Sequence, residues 1–300
     1  MRRLLYLAAL GCMAGGLVWH SSAAPVPMPN PEDSTVADGV FRNRYFNLSY
    51  PLPSGWMEGL AGPPPSVSGY YVLGTFVPAG ELTGTILVAA QDIFFAPKPF
   101  DDVMAMAEDV GRAMAQVGGM RIDRSPSEVQ IAGRRFGRVD FSGVGLFRST
   151  LITKIRCHFL SFNLMATSPE LLSALAVSLS RLGPADDNEA AKVDPMCIGG
   201  YADAEHLLTK IDPPAIGPTS APIPVRIVIA PDGTVKHVHV IRATTAQRDG
   251  IETALGQWKM RTPRMNGVTT EIETGLLINF TPAGAVRYLP VNRVRSSDPG

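Results

Sequence analysis

The sequence predicts an α+β chain of two domains, and three observations carry that expectation. Between residues 41 and 183, β-rich runs bounded by Gly and Pro alternate with two helical apolar stripes. The polar stretch "GPADDNEAAKVDP", residues 183 to 195, then reads as a linker. From Ile223 a tighter pattern follows: strand, Asp-Gly, strand, helix ending in Trp258, strand. Three hundred residues suffice for two cores, and 45% apolar with 18% charged residues is the composition of folded material.

The chain opens "MRRLLYLAALGCMAGGLVWHSSAAP". Two arginines, an apolar run and small residues are the order of a secretory signal, with cleavage before Ala24. Retention of residues 4–20 as an inner-membrane anchor is the alternative, although the run falls short of the ~20 residues a span requires. Loss of the segment leaves 25 basic against 27 acidic side chains, a balance that excludes wrapping nucleic acid. It also leaves two cysteines, Cys157 and Cys197. In an oxidising compartment such a pair can bridge, while Cys157 in "KIRCHFLSF" reads equally well as a small buried hydrophobe. Residues 25–40, "PVPMPNPEDSTVADGV", have no periodicity and read as a Pro-rich linker.

In the first block, "NRYFNLSYPLPSGW", "GYYVLGTFVP" and "GTILVAAQDIFF" read as strands. Asp101 or Asp102 caps a helix running to about Val117, with Val103, Met106, Ala107, Val110, Ala113, Met114 and Val117 on one buried stripe. "SEVQIAGRRFGRVDFSG" is a hairpin turning at Ala132-Gly133. "STLITKIRCHFLSFNLMATS" sets Cys157 and Phe159 inward and leaves His158 on the solvated face. Ser168-Pro169 opens a last helix with Leu171, Leu172, Leu175, Leu179 and Leu182 inward.

In the second block, "IPVRIVIAP" points Val225, Ile227 and Ile229 inward and Arg226 and Val228 outward. Asp232-Gly233 is a strong hairpin signal, with both residues expected at positive φ. "TVKHVHVIRA" places His237 and His239 on the outer face. Ile251, Ala254, Leu255 and Trp258 form the helical stripe, and "VTTEIETGLLINFTP" is the final strand.

Two resemblances follow from these residues. "F-x-L-S-Y-P-x-P-x-G-W", "V-Q-I-A-G-R-R-F-G-R-V-D-F" and the Leu-rich helix make residues 41–183 similar to the PsbP-like family, which implies an α/β sandwich. "V-x-I-V-I-A-P-D-G-T-V-K-H-V-H-V-I-R-A", "I-E-T-A-L-G-Q-W-K-M-R-T-P-R-M-N-G" and "I-N-F-T-P" make about residues 205–282, within a second domain of residues 197–282, resemble the TonB C-terminal domain. That resemblance implies a three-stranded antiparallel sheet covered by a helix, a periplasmic location, and an exposed sheet edge that pairs with a peptide of an outer-membrane transporter. Residues 283–300 read as a tail. Two features depart from the energy transducers of that family. Gly16, not Ser, precedes His20 by four positions, and no long Pro-rich arm is present.

An unpaired strand edge is a ready docking place for a visiting strand. The expected edge is the last strand, with Thr270, Ile272, Thr274, Leu276 and Ile278 as contact positions. His237 and His239 share a face, but the sequence supplies no third metal ligand at a persuasive spacing, so a solvated face is the reading and no metal is expected. No nucleophile elbow, phosphate loop, H-E-x-x-H or dinucleotide fingerprint occurs. No catalytic residue or cofactor is therefore expected. The expected function is a TonB-like periplasmic protein that binds an envelope partner by strand addition and serves outer-membrane transport. The alternative is a non-energised binding or scaffolding protein with a peptidoglycan or protein partner.

Overall fold

Asp38-Gly39, both at positive φ (53° and 69°), folds β1 (Ser34–Ala37) onto β2 (Val40–Asn43), and β3 (Leu48–Pro51) completes a small antiparallel sheet. Asp-Gly is the pair such a tight turn favours. In this computed structural model, residues 28–185, 195–214, 216–265, 267–292 and 295–296 are described. The expected leader, residues 1–24, and most of the second linker lie outside them. The first linker does not extend to residue 40, because Ser34–Ala37 is already a paired strand.

A seven-stranded antiparallel sheet forms the body of the first lobe. Its strands are β4 (Trp56–Glu58), β5 (Tyr70–Pro78), β6 (Gly84–Asp92), β7 (Arg121–Ile131), β8 (Arg134–Gly143), β9 (Leu146–Ile155) and β10 (His158–Ala166), in the order β4-β5-β6-β10-β9-β8-β7. α1 (Val103–Ala115) lies on one face, started by Asp102, whose Oδ1 accepts from the N–H groups of Met104 and Ala105 at 2.9 Å. The helix comes so close to β8 that a Cβ at Gly137 would meet the Val103 carbonyl oxygen at 2.6 Å. α2 (Pro169–Ser178), capped by Ser168, covers the other face together with the small sheet, where Tyr50 packs edge-on to Phe162.

The second lobe is larger than three strands. Its main strands are β11 (Met196–Ile198), β13 (Ile223–Ile229), β14 (Val235–Val240), β18 (Ile272–Phe280), β19 (Val286–Leu289) and β20 (Arg295–Ser296). Two short ladders accompany them: β12 (Leu207–Thr209) with β15 (Lys259–Met260), and β16 (Arg264–Met265) with β17 (Val268–Thr269). The main sheet runs β14-β13-β18-β11-β20, with β19 also on β18. α3 (Thr245–Leu255) begins with a capping box made by Thr244 and Gln247. Its residues Ile251, Ala254 and Leu255 join Val225, Ile227 and Ile278 in one core. The β13–β14 turn differs in detail from the expectation. Gly233 is at φ 84°, whereas Asp232 is not at positive φ, and a Cβ at Gly233 would strike the Met260 carbonyl oxygen at 2.3 Å.

Residues 286–292, after Pro282, are part of the fold, not a free tail. Val286–Leu289 pairs with Leu277–Phe280, and Asn292 Nδ2 donates to the carbonyls of Ile93 (3.1 Å) and Ala96 (2.8 Å) in the first lobe. Deleting residues 283–300 is expected to lower the unfolding free energy by about 2–4 kcal/mol in urea titration, from ladder and side-chain bonds at roughly 1 kcal/mol each.

Candidate functional site

The seven residues of β13, "IPVRIVI", are all buried. Odd-numbered residues face α3, and the even-numbered face, which alternation alone assigns to solvent, is covered by the first lobe. Register places Arg226 opposite Gly275 and His239, and Val228 opposite Glu273 and His237. Gly275 is what lets the lobes meet, since a Cβ there would lie 2.7 Å from Phe94 Cβ and 3.0 Å from Phe95 Cζ. The face expected to be open is thus the junction of the two lobes.

A buried charge network occupies this junction. Arg226 is 0% exposed, as are Asp92 and Glu273. The Arg226 guanidinium lies 3.3 Å from Asp92 Oδ2, donates to Glu273 Oε2 at 3.2 Å and to the Cys157 carbonyl at 3.3 Å, and stands over the Phe94 ring. The Asp92 contact is a close ion pair without an aligned hydrogen bond. Glu273 also accepts from Tyr45 Oη at 3.2 Å and pairs with Arg156, whose guanidinium stacks on the Tyr45 ring. Two cations thus face two carboxylates. Beside them Cys157 and Cys197 form a disulfide with Cα atoms 5.6 Å apart, which joins the β9–β10 turn to β11.

Burial sets the protonation of the neighbours. It pushes the Asp92 carboxyl up to about 6, against the pull of Arg226. It pushes His158 well below its usual range, and Arg226 and Arg156 add to that shift. His158 is not on a solvated face: it is 0% exposed, edge-on to the rings of Tyr45, Phe46 and Tyr71. The two histidines of β14 are likewise not solvated as a pair. His239 is buried, with Nε2 3.2 Å from Glu32 Oε2, and half-buried His237 shares a 3.1 Å hydrogen bond with Asn30 Oδ1. Burial lowers His237 to about 4.

The structure overturns the expected docking strand. β18 pairs along one flank with β13 from Ile272 to Ile278. Its other flank carries β11 at Ile272 and Glu273, then β19 from Leu277 to Phe280. Ile272, Leu276 and Ile278 are core residues, and Thr274 Oγ1 accepts from the Tyr201 N–H at 3.2 Å. Thr270 sits half-buried outside the strand, its N–H bonded to the Pro263 carbonyl. The reason is legible in β18 itself: "IETGLLINF" is apolar on both faces toward its end, the pattern of a central strand.

Within the junction the side chains of Arg226, Asp92, Glu273 and His158 are fully buried. The described cavities lie elsewhere, one of about 100 Å³ lined by Asp101, Asp102, Arg134 and Lys154, the other of about 330 Å³ beside Gly119, Arg121 and Phe147. Among the described residues no three His, Cys, Asp or Glu side chains converge on a metal position, and no helix is long and apolar enough to cross a membrane.

Breaking the charge balance should be costly. Arg226→Met leaves two buried carboxylates and is expected to destabilise by about 3–5 kcal/mol, while the triple variant Arg226→Met, Asp92→Asn, Glu273→Gln recovers a large part of the loss. Acidification has a defined sign. The unfolded chain takes up protons on His158 and His237 below 6.5 and the folded chain does not, so their contribution is complete above pH 6.5 and is lost as pH falls toward 4. Asp92, raised from 3.8 to about 6, acts in the opposite direction only below pH 6. Urea midpoints should therefore fall from pH 7 to pH 5, and His237→Asn should make that fall shallower.

No family model and no curated protein sequence matches this chain. Several solved structures resemble it, among them the following two. One is the solution structure of cyanobacterial PsbP (CyanoP) from Synechocystis sp. PCC 6803, at 17% identity over 48% of this chain and 91% of that one, with a TM-score of 0.36. The other is LpqN, involved in cell envelope biogenesis of Mycobacterium tuberculosis, at 15% identity over 53% of this chain and 88% of that one, with a TM-score of 0.32. At these scores the likeness is one of outline, and it carries no functional weight.

Proposed function

We propose that this chain is an exported, non-catalytic binding protein of the cell envelope, which presents its two lobes to a protein or peptidoglycan partner as one rigid body. The observation that carries the reading is the Cys157–Cys197 disulfide at the lobe junction. Structural disulfides persist in oxidising compartments such as the periplasm and are rare in the cytosol. The Arg2-Arg3 start and apolar run that follow the order of a secretory signal point the same way. The full burial of these charges favours binding over turnover, since a reacting group must be reached by its substrate.

The finer reading, energy-coupled transport with a transporter peptide added to the last strand, loses most of its docking place, because β18 is paired with β13 along one flank and with β11 and β19 over all but Thr274–Leu276 of the other. The non-energised reading requires no free flank, and it is the one retained.

Two measurements test this. Alkylation of thiols in fractionated cells should find Cys157 and Cys197 protected in the periplasmic fraction until reductant is added; a cytosolic pool with both thiols free would refute export. Cys157→Ser with Cys197→Ser should lower the unfolding free energy by about 4 kcal/mol, the loop-closure value for a separation of 40 residues.

A further inference from the structure

The β8–β9 hairpin turns on two residues, Val144 and Gly145, both at positive φ (54° and 74°) and flanked by the Gly143–Leu146 pair. Such a turn favours Asn-Gly. A β-branched residue is a conformational outlier there, because its methyls crowd the backbone. Val144 is also 87% exposed, so it returns no burial to the fold. Neither local propensity nor packing selects this residue, and a rule broken at an exposed tip points to a contact outside the chain.

A second apolar turn stands beside it. "VGGM", residues 117 to 120, follows α1, and Val117 is 46% exposed. A Cβ at Gly119 would lie 3.9 Å from Val144 Cγ2, and a Cβ at Gly143 would meet the Gly119 carbonyl oxygen at 2.3 Å and Met120 Sδ at 2.7 Å. The two turns therefore form one knuckle, with the open cavity of about 330 Å³ against its side. The charge around it is net positive. The segments 112–124 and 142–148 hold Arg112, Arg121, Arg124 and Arg148 against Asp123 alone, in a chain whose formal net charge is zero. Arg121 pairs with Asp123, Arg124 with Asp140, and Arg112 shares Asp109 with Lys98. Even so, the side chains of Arg112 and Arg121 remain 62% and 78% exposed. Exposed apolar tips ringed by arginines are complementary to the surface of an anionic bilayer, where short apolar groups enter the headgroup boundary and guanidinium groups meet phosphates.

We propose that the Val144 knuckle is a membrane-contact site for anionic phospholipid: Val144 and Val117 enter the interface, and Arg121 with its neighbouring arginines holds the lipid phosphates. The site is at the end of β9 opposite the β9–β10 turn, where the lobe junction lies, and it stands independently of the export reading.

The test uses the full chain carrying Val144→Trp, with the wild type as background for the native tryptophans. Mixed with phosphatidylglycerol-containing vesicles, the new indole should shift to the blue and be quenched by brominated acyl chains. Both signals should vanish in pure phosphatidylcholine or at high salt, and should fall on the order of tenfold with Arg121→Glu and Arg112→Glu together. The apolar N-terminal run is common to every variant, so it cannot imitate a signal that arises at residue 144. Val144→Asn separates fold from contact: it should raise the melting midpoint by about 2 °C while weakening vesicle binding. An indole indifferent to anionic vesicles would overturn the proposal, as would a Val144→Asn protein that melts lower.

Discussion

A guanidinium removed from water needs anionic company at close range, and a strand that carries one in its centre cannot be buried until that company is in place. Arg226 is that group. Its two carboxylates come from different parts of the chain, Asp92 from the end of β6 and Glu273 from β18. β13 can pair with β18 within its own lobe, but the even-numbered face closes only when Asp92, Phe94 and Phe95 arrive from the other lobe. The network makes the lobes' mutual orientation specific in a way that apolar contact alone would not. Arg156 reinforces it from a strained position: the turn residue stands at φ 53°, a conformation usually left to glycine, and its side chain is held by Glu273 and Tyr45.

Much of the secondary structure was legible. The Asp102 cap, the Ser168-Pro169 start, the Ala132-Gly133 turn and the Ile251–Trp258 stripe each rest on local chemistry, which a single sequence displays. The docking of the lobes was not legible, for a definite reason. Alternation tells which side chains share a face, but not whether the polar face meets water or another lobe. On that basis alone Arg226, His237 and His239 belong on a solvated face. The signal that could have corrected this was the apolar density of β13. Five of its seven residues are Ile or Val and a sixth is Pro, more than a strand with one wet face calls for. "AVRYL" after Pro282 gave a similar hint that the chain continues as a strand.

The same packing explains why strand addition finds little room. The outer edge of β5 beyond β4 is lined by residues 59 to 66. There the Gly59 N–H bonds the Thr75 carbonyl, Gly62 lies against Val72, and three consecutive prolines offer no N–H to a visitor. β7 carries Pro126 and two register shifts. β14 has no strand on its outer side among the described residues, yet Arg248 donates to its Val240 carbonyl at 2.7 Å, and Asn30 and Glu32 hold its histidines. These are the usual devices by which sheet margins are kept from pairing with other chains. The proposed recognition then falls to surfaces other than ladders.

Among such surfaces, the hairpin tips can be compared on equal terms. Asp38-Gly39 obeys the turn's chemistry and needs no compensation. Ala132 violates it at the smallest cost, having no branch at Cβ. Arg156 violates it and is repaid inside the molecule through Glu273. Val144 violates it with the bulkiest branching and, at its tip, buries almost nothing. Strain at that tip is carried by the stability of the rest of the fold and returns nothing locally, which is the ground for placing its role at a contact with another surface. The arginines beside that tip indicate the sign of its charge, and the exposed valine indicates that its inner layer is apolar.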